Sequence, residues 1–556
     1  MEPYPLRFLK NLNRGREVVT VFLNYGFGDL MERLGLLKYL KWGRRMILLK
    51  KQEDVETLTT ARRIRLALQD LGPSFVKFGQ ILSTRPDLVP AEVIEELALL
   101  QENVPCFSSE EVLSVIEAEL GKPASEVFAK FNEKPLAAGS LGQVHLAEDQ
   151  HGSKLAVKIR RPKVLQEVER DLSLMLEIAS LMEKHIPESQ VFDPIGLVNQ
   201  FARTVRKEMN YNREARTMKE FARLFADDPR LHIPFVDEKR STDSVLTMEY
   251  IDGVRIDDRN ELKAFGIYPK KIAQQGAEIF IKQAFDFGIF HGDPHPGNLR
   301  VEKNGTIALL DYGMVGFLEE ERREQLVDLL VSVARHDVEV AVTTVLRIGK
   351  PSQAVERPLL QSDVRDFIDA YYGVDLGKLN IGRLLNDFVT ILSNHGLRCP
   401  ADFMLLIRAI ITLEGIGRQL DPEFNLSSVL APAIEKLVKK RYDPKRIAER
   451  AITDLKQLLR TAHDLPLHLG RTLKKASEDD LKVQFEHKGL DRLINEFDRS
   501  SNRIVVGLIV SSLVLSTSLV IRVSSIESMW IAVPLFIASG FLSLWLVWGI
   551  LRSGRL

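Results

Sequence analysis

The sequence predicts an α+β protein, with a bilobal body, a helical extension in front of it and a two-helix hairpin behind it. Three observations predict this. Short β-periodic runs at 143–147, 155–159 and 244–250 are set among long helical patterns. The loop His291-Gly292-Asp293-Pro294-His295-Pro296-Gly297-Asn298 is followed, one predicted strand pair later, by Asp311-Tyr312-Gly313. Beyond residue 500 the chain turns into two uncharged apolar runs.

Residues 1–60 read as a basic amphipathic helical segment, with Lys38, Lys41, Arg44, Arg45, Lys50 and Lys51 set among Leu, Ile and Trp. Such a face suits an anionic membrane surface or the main body. Arg7, Lys10, Arg14 and Arg16 break up the start of the chain too early for a secretory signal. Residues 61–130 form a helical extension punctuated by Pro73, Pro86, Pro90 and Pro105. Residues 131–250 make the first lobe, with inserted helices at 163–225. Residues 251–430 make the second lobe, with a helix at 270–290, the Asp293 loop and the hairpin that returns to Asp311. Residues 431–500 are a charged helical linker.

Residues 501–556 are expected to be a transmembrane hairpin, its helices at Ile504–Ile521 and Met529–Leu551. Trp530, Trp545 and Trp548 lie near the ends of the second run, as in an interfacial aromatic belt. Arg499 and Arg503 precede the hairpin and Arg552 and Arg555 follow it, which places the large body in the cytoplasm. The 556 residues are 45% apolar, 27% charged and of formal net charge zero, so nothing draws the chain globally to nucleic acid. Cys106 and Cys399 stand far apart and read as reduced structural thiols.

The chemistry centres on Asp293 and Asn298. Phosphoryl transfer of the kinase type needs an acid to orient the attacking group, an amide oxygen five residues on for magnesium, and a second carboxylate one hairpin later. Asp293, Asn298 and Asp311 occur in that order, with Gly313 completing the last element. Lys158 in Ala-Val-Lys-Ile lies where such a fold puts its phosphate lysine, with Glu208 and Glu214 as candidate partners. The preceding loop is rich in alanine, Ala137-Ala138-Gly139-Ser140-Leu141-Gly142-Gln143, where kinases carry glycines. Its backbone N–H groups can still approach phosphates, in a space narrowed by two methyl groups.

These residues resemble the UbiB (AarF/ADCK) atypical kinase-like family of ubiquinone biosynthesis. The resemblance runs from about Arg63 to Asp421. It rests on Lys77-Phe78-Gly79-Gln80 with Ser83-Thr84-Arg85-Pro86-Asp87-Leu88, on the alanine-rich loop with Gln143-Val144-His145, and on Glu208-Met209-Asn210-Tyr211 with Glu214-Ala215. The Asp293 loop, Asp311-Tyr312-Gly313 and Leu413-Glu414-Gly415-Ile416-Gly417-Arg418-Gln419-Leu420 complete it. The resemblance implies ATP and Mg2+ as cofactors. It implies Lys77, Gln80, Glu208 and Asp293 as catalytic residues, with Lys77 paired to Glu208, and Asn298 and Asp311 as metal ligands. It also implies nucleotide contacts from Ala137, Ala138, Gly139, Ser140, Gln143, Val144, Lys158, Glu214 and a hinge at Met248, Glu249 and Tyr250. Asn210 stands where the family usually has Asp, which takes one charge from the surroundings of Lys77.

An extension that plants Lys77 and Gln80 over the cleft takes the space of a peptide substrate. Together with the resemblance, this implies a membrane-bound, kinase-like ATPase handling isoprenoid quinone precursors at a bacterial inner membrane. Its partners would be ATP, membrane lipids and quinone-biosynthesis enzymes. The alternatives are a true protein or small-molecule kinase and a non-catalytic, nucleotide-gated lipid-binding scaffold. No flavin, NAD or iron-ligand pattern supports a hydroxylase; His145, His291 and His295 lack metal-site spacing.

Overall fold

The computed structural model describes residues 12–39, 58–83, 89–100, 106–186, 193–351, 355–371 and 381–441, with isolated positions elsewhere. Two units are distinguished, Met1–Ile447 and Ala448–Leu556.

The front of the first unit is helical: α1 (Leu12–Asn24), α2 (Thr60–Asp70), α3 (Pro73–Leu82) and α4 (Ala91–Ala98). Pro73 opens α3 at a position where its missing N–H costs no hydrogen bond. Val18 of α1, Leu68 of α2, Phe75 and Val76 of α3 and Leu97 of α4 share one buried cluster. Gly79 is set by that packing. A Cβ there would lie 2.4 Å from Leu100 Cδ1 and 2.9 Å from Leu68 Cδ1.

The first lobe is a sheet in the order β1 (Lys130–Phe131), β3 (Gly142–Glu148), β4 (Lys154–Arg160), β6 (Val245–Glu249), with β2 (Ala137–Ala138) also paired to β3. All of these pairings are antiparallel. Side chains alternate between faces along a strand. Val157 and Ile159 accordingly pack on Val112 and Ile116 of α5 (Ser109–Leu120), while Lys158 between them turns to the cleft. A capping box of Ser108 and Glu111 starts α5, and left-handed Gly121 (φ 71°) ends it. The insertion is helical, as expected, in three pieces: α6 (Val164–His185), α7 (Pro194–Glu208) and α8 (Tyr211–Leu224).

In the second lobe the helix expected over 270–290 ends sooner. Helix α9 (Pro269–Ile281) widens into a π-turn at Lys282–Phe287, and Gly288 at φ 73° stops it. The chain then enters β8 (Ile289–His291), which pairs with β11 (Val315–Phe317). Strands β9 and β10, between them in the chain, belong to a second sheet ordered β5 (Leu231–His232), β10 (Ile307–Leu309), β9 (Leu299–Val301), β7 (Val254–Arg255). The β9–β10 hairpin brings Asp311 back beside Asn298, since Leu310 N–H donates to the Asn298 carbonyl at 3.0 Å. Helices α10 (Glu320–Arg335), α11 (Val338–Ile348), α12 (Arg357–Tyr371), α13 (Ile381–Asn394), α14 (Ala401–Leu420) and α15 (Leu426–Arg441) follow. Their apolar faces build the largest buried cluster with α9.

Among the described residues, no helix is long and apolar enough to cross a membrane. The expected hairpin falls mostly outside the described residues; its described positions, such as 507–512 and 537–542, are helical. The basic stretch from Lys41 to Lys51 also lies outside them.

Candidate active site

Lys158 Nζ donates to Glu214 Oε1 at 2.8 Å and Oε2 at 3.0 Å, and lies 3.4 Å from Asp311 Oδ1. Glu214 is buried in the first turn of α8 and also accepts the Tyr312 N–H at 3.2 Å. Burial works against the charge on Lys158, but Asp311 and Glu214 outweigh it and hold the ammonium charged. Enclosure alone would raise Asp311; Lys158 and the Gly313 N–H (2.8 Å) outweigh it and hold the carboxyl well below the usual range. Glu214, pressed by burial and by Asp311 against the pull of Lys158, is pushed up to about 7. Once Glu214 is ionised, above that value, two carboxylates share one ammonium and one negative charge is left over.

The catalytic-loop geometry follows from His291. The Asp293 N–H donates to His291 Nδ1 at 3.1 Å, so that nitrogen carries no proton. The proton sits on Nε2, which donates to the Asp311 carbonyl. Burial lowers the pKa of this imidazole and keeps it neutral. One uncharged ring therefore fixes both the Asp293 and the Asp311 backbones. Asn298 Nδ2 donates to the Asp293 carbonyl at 3.2 Å, which leaves its amide oxygen unengaged among the described residues. A side chain at Gly292 would force Leu405 on α14 to move, because a Cβ would come within 2.6 Å of it.

Lys158, His291, Asp293, Asn298 and Asp311 line one cleft of about 1840 Å³, while Glu214, expected to contact nucleotide, is buried behind Lys158 and acts through it. Lys77 and Gln80 line it too. Lys77 Nζ donates to Glu208 Oε1 at 2.6 Å, and Glu208 Oε2 is buried without a hydrogen-bond partner. Gln80 spends its amide on the Leu100 carbonyl at 3.2 Å, tying α3 to the end of α4. Ala137, Ala138, Gly139, Ser140, Gly142 and Val144 form one wall, with Met248, Glu249 and Tyr250 at the strand end beyond it. Gly142 is required, since a Cβ would fall 2.4 Å from the Ile159 carbonyl and 2.6 Å from Tyr211 Oη.

One expectation changes and two gain detail. Gln143 makes no nucleotide contact through its side chain. It is buried on the opposite face of β3, donating to the Phe107 carbonyl at 3.2 Å and facing His145 Nε2 at 3.1 Å. The Glu249 side chain turns away to His232 (3.1 Å) and the Phe235 N–H (3.2 Å), so this residue can offer the cleft only its backbone. Asn210 does not contact Lys77. Its oxygen caps α8 by accepting the Arg213 N–H at 3.0 Å.

Two residues escaped the sequence reading. Tyr211 presents its ring 5.5 Å from Lys158 Nζ. Arg408 of α14 donates from Nη2 to Asp293 Oδ1 at 3.3 Å. In the sequence Arg408 stands out as the lone charge in Phe403–Leu413, but nothing local to it names Asp293 as its partner.

The donor set fits a nucleotide-bound magnesium ion. Asn298 offers a neutral oxygen, Asp311 an ionised carboxylate and Glu208 an orphan oxygen, and hard divalent cations take such ligands. Asp293 stands beside them with its acid side chain 18% exposed.

The chain matches the ABC1 atypical kinase-like domain over residues 99–345, the UbiB helical domain over 364–425 and the ABC1/UbiB kinase-like C-terminal domain over 488–552. An uncharacterized protein of Synechocystis, sll1770, is 32% identical over 463 residues, 83% of this chain and 79% of its own. A Marinobacter nauticus protein named "probable protein kinase UbiB" is 33% identical over 413 residues, 74% of this chain and 76% of its own. A Xanthomonas oryzae protein of the same name is 29% identical over 516 residues, 91% and 92% of the two chains. With the ion triad of Lys158, the Asp293 loop and the Lys77 extension in one cleft, the chain belongs to the UbiB/ABC1 atypical kinase-like family.

Proposed function

We propose that the protein is a membrane-anchored, kinase-like ATPase that uses ATP and Mg2+ to handle isoprenoid lipid precursors for ubiquinone biosynthesis. The observation that carries this reading is that Lys77 and Gln80 line the same cleft as Lys158, Asp293, Asn298 and Asp311. A kinase acting on protein leaves that face open for an extended peptide. Here α3 stands over it, latched by Lys77 to Glu208.

Lys158, fixed by Glu214, holds the α- and β-phosphates. Asn298 and Asp311 hold magnesium, which when bound neutralises charge on the transferred phosphoryl group. Asp293, oriented through His291 and Asn298, sets the attacking hydroxyl or water and takes its proton. Met248 and the backbone of Glu249 and Tyr250 form the adenine end of the cleft. The two uncharged runs at Ile504–Ile521 and Met529–Leu551 anchor the chain in a bacterial inner membrane, with the kinase-like unit in the cytoplasm.

Phosphate release from Mg·ATP, measured with and without anionic liposomes and phenolic quinone-head mimics, tests the reading. Turnover should rise with lipid or phenol and vanish in Asp311→Asn. Equal, negligible rates for the native chain and the variant would sink it.

A further inference from the structure

Several of the charges that face the phosphate end of the cleft are already committed. Lys158 is shared between Glu214 and Asp311, and Lys77 is paired with Glu208. His291 is neutral and its two nitrogens are both engaged. The catalytic loop, Gly292 to Asn298, contains no lysine or arginine. Phosphoryl transfer places developing charge on oxygens that a free cation would stabilise.

Arg408 places such a charge beside Asp293. It projects from α14 into the cleft, with its side chain 34% exposed. Among the described residues its guanidinium makes one hydrogen bond, a single contact to Asp293 Oδ1 at 3.3 Å. A clamp built for stability would be bidentate and shorter. One loose contact contributes little by itself and leaves most of the five N–H donors of the fork facing the cleft. The planar fork matches two phosphate oxygens, which a point charge such as lysine does not.

We infer that Arg408, supplied in cis by the helical domain, is a catalytic residue that contacts the terminal phosphate of the bound nucleotide beside Asp293. The inference rests on the reading of the cleft as an ATP site. In the step, an oxygen of water or of an acceptor hydroxyl bonds to the γ-phosphorus while the bond to the β–γ bridging oxygen breaks. The electron pair leaves on ADP, and the proton of the attacking group passes through Asp293 to solvent. Arg408 stabilises the charge that spreads over the γ-oxygens, an interaction that ADP cannot make.

The test compares binding of Mg·ADP and Mg·ATP, and ATP turnover, in the full-length chain and in Arg408→Gln and Arg408→Lys. Arg408→Gln should keep ADP affinity within about two-fold, weaken ATP about ten-fold and lower kcat by roughly 10²- to 10³-fold. Arg408→Lys should recover part of the ATP preference, because it restores charge without the fork. If ADP and ATP affinities fall together, or if turnover and the ATP-to-ADP ratio match the native protein, the inference is wrong and the ATP site still stands. If the native chain binds neither nucleotide, the ATP site is wrong and Arg408 falls with it.

Discussion

Glu208 ends α7 and Glu214 lies in the first turn of α8, so both glutamates hang from one corner around Asn210. Each takes a lysine, and the two pairs differ in charge balance. Glu208 meets Lys77 at 2.6 Å, and Lys77 comes from the extension. Glu214 must share Lys158 with Asp311, and Lys158 comes from the first-lobe sheet. The first pair latches two segments together. A pair with surplus negative charge is incomplete until a cation arrives. The corner thus separates a latch from a ligand site within six residues of sequence.

The largest effect should come from removing the surplus charge. Asp311→Asn should reduce ATP turnover on the order of 10³-fold, read as phosphate release, with loss of magnesium-dependent nucleotide binding. If the variant turns over at the native rate, the charge deficit at Lys158 has no catalytic meaning.

Glu214 sharpens the comparison through pH. Its folded value is pushed up to about 7 from the ordinary 4.5. Between those values the folded chain keeps a proton that the unfolded chain has released. Its contribution to stability therefore falls as pH rises through that window. Glu214→Gln should flatten that limb of the stability profile and slow turnover roughly 10²-fold, since Lys158 loses its buried anchor. Urea melts of the native chain and of Glu214→Gln at a series of pH values check this.

The latch should behave otherwise. Lys77→Met alone leaves Glu208 uncompensated and should cost about 1–3 kcal/mol in chemical denaturation, whereas adding Glu208→Gln should recover much of it. Additive losses would mean the two residues are not a coupled latch. Gly79→Ala, on the same helix as Lys77, forces a methyl against Leu100 and Leu68 and should cost about 1–3 kcal/mol. The smallest change is at the corner itself. Asn210→Ala removes the α8 cap for about 1 kcal/mol, and Asn210→Asp should be nearly neutral, since either side chain caps.

Sequence alone made the second-lobe site legible because its parts are close in the chain. Asp293, Asn298 and Asp311 are joined by one hairpin, and local spacing fixes their meeting. The strand positions of Lys158 and Met248 were legible from periodicity. The same periodicity, applied strictly, puts Gln143 and His145 on one face and Val144 on the other. Gln143 was assigned by its place in a motif, and the pleat overrules that. Glu249 lines the cleft at the expected hinge, but the sequence did not show that its carboxylate turns to His232 and leaves only backbone there. Arg408 was out of reach for another reason: it meets Asp293 only through the packing of α14 on Gly292, a contact that no local pattern encodes.

That last contact has a consequence for the order in which the molecule is made. Asp293 and Arg408 are 115 residues apart in the chain. At ribosomal rates of roughly 5–20 residues per second, the interval between them is on the order of ten seconds. During it, the nascent chain has Lys158, Glu214, Asn298 and Asp311 synthesised, while the guanidinium beside Asp293 does not yet exist. Leu405, which seats Gly292, arrives in the same helix. The catalytic loop thus reaches its native surroundings only after the helical domain has emerged, and a chain stalled before residue 400 lacks both.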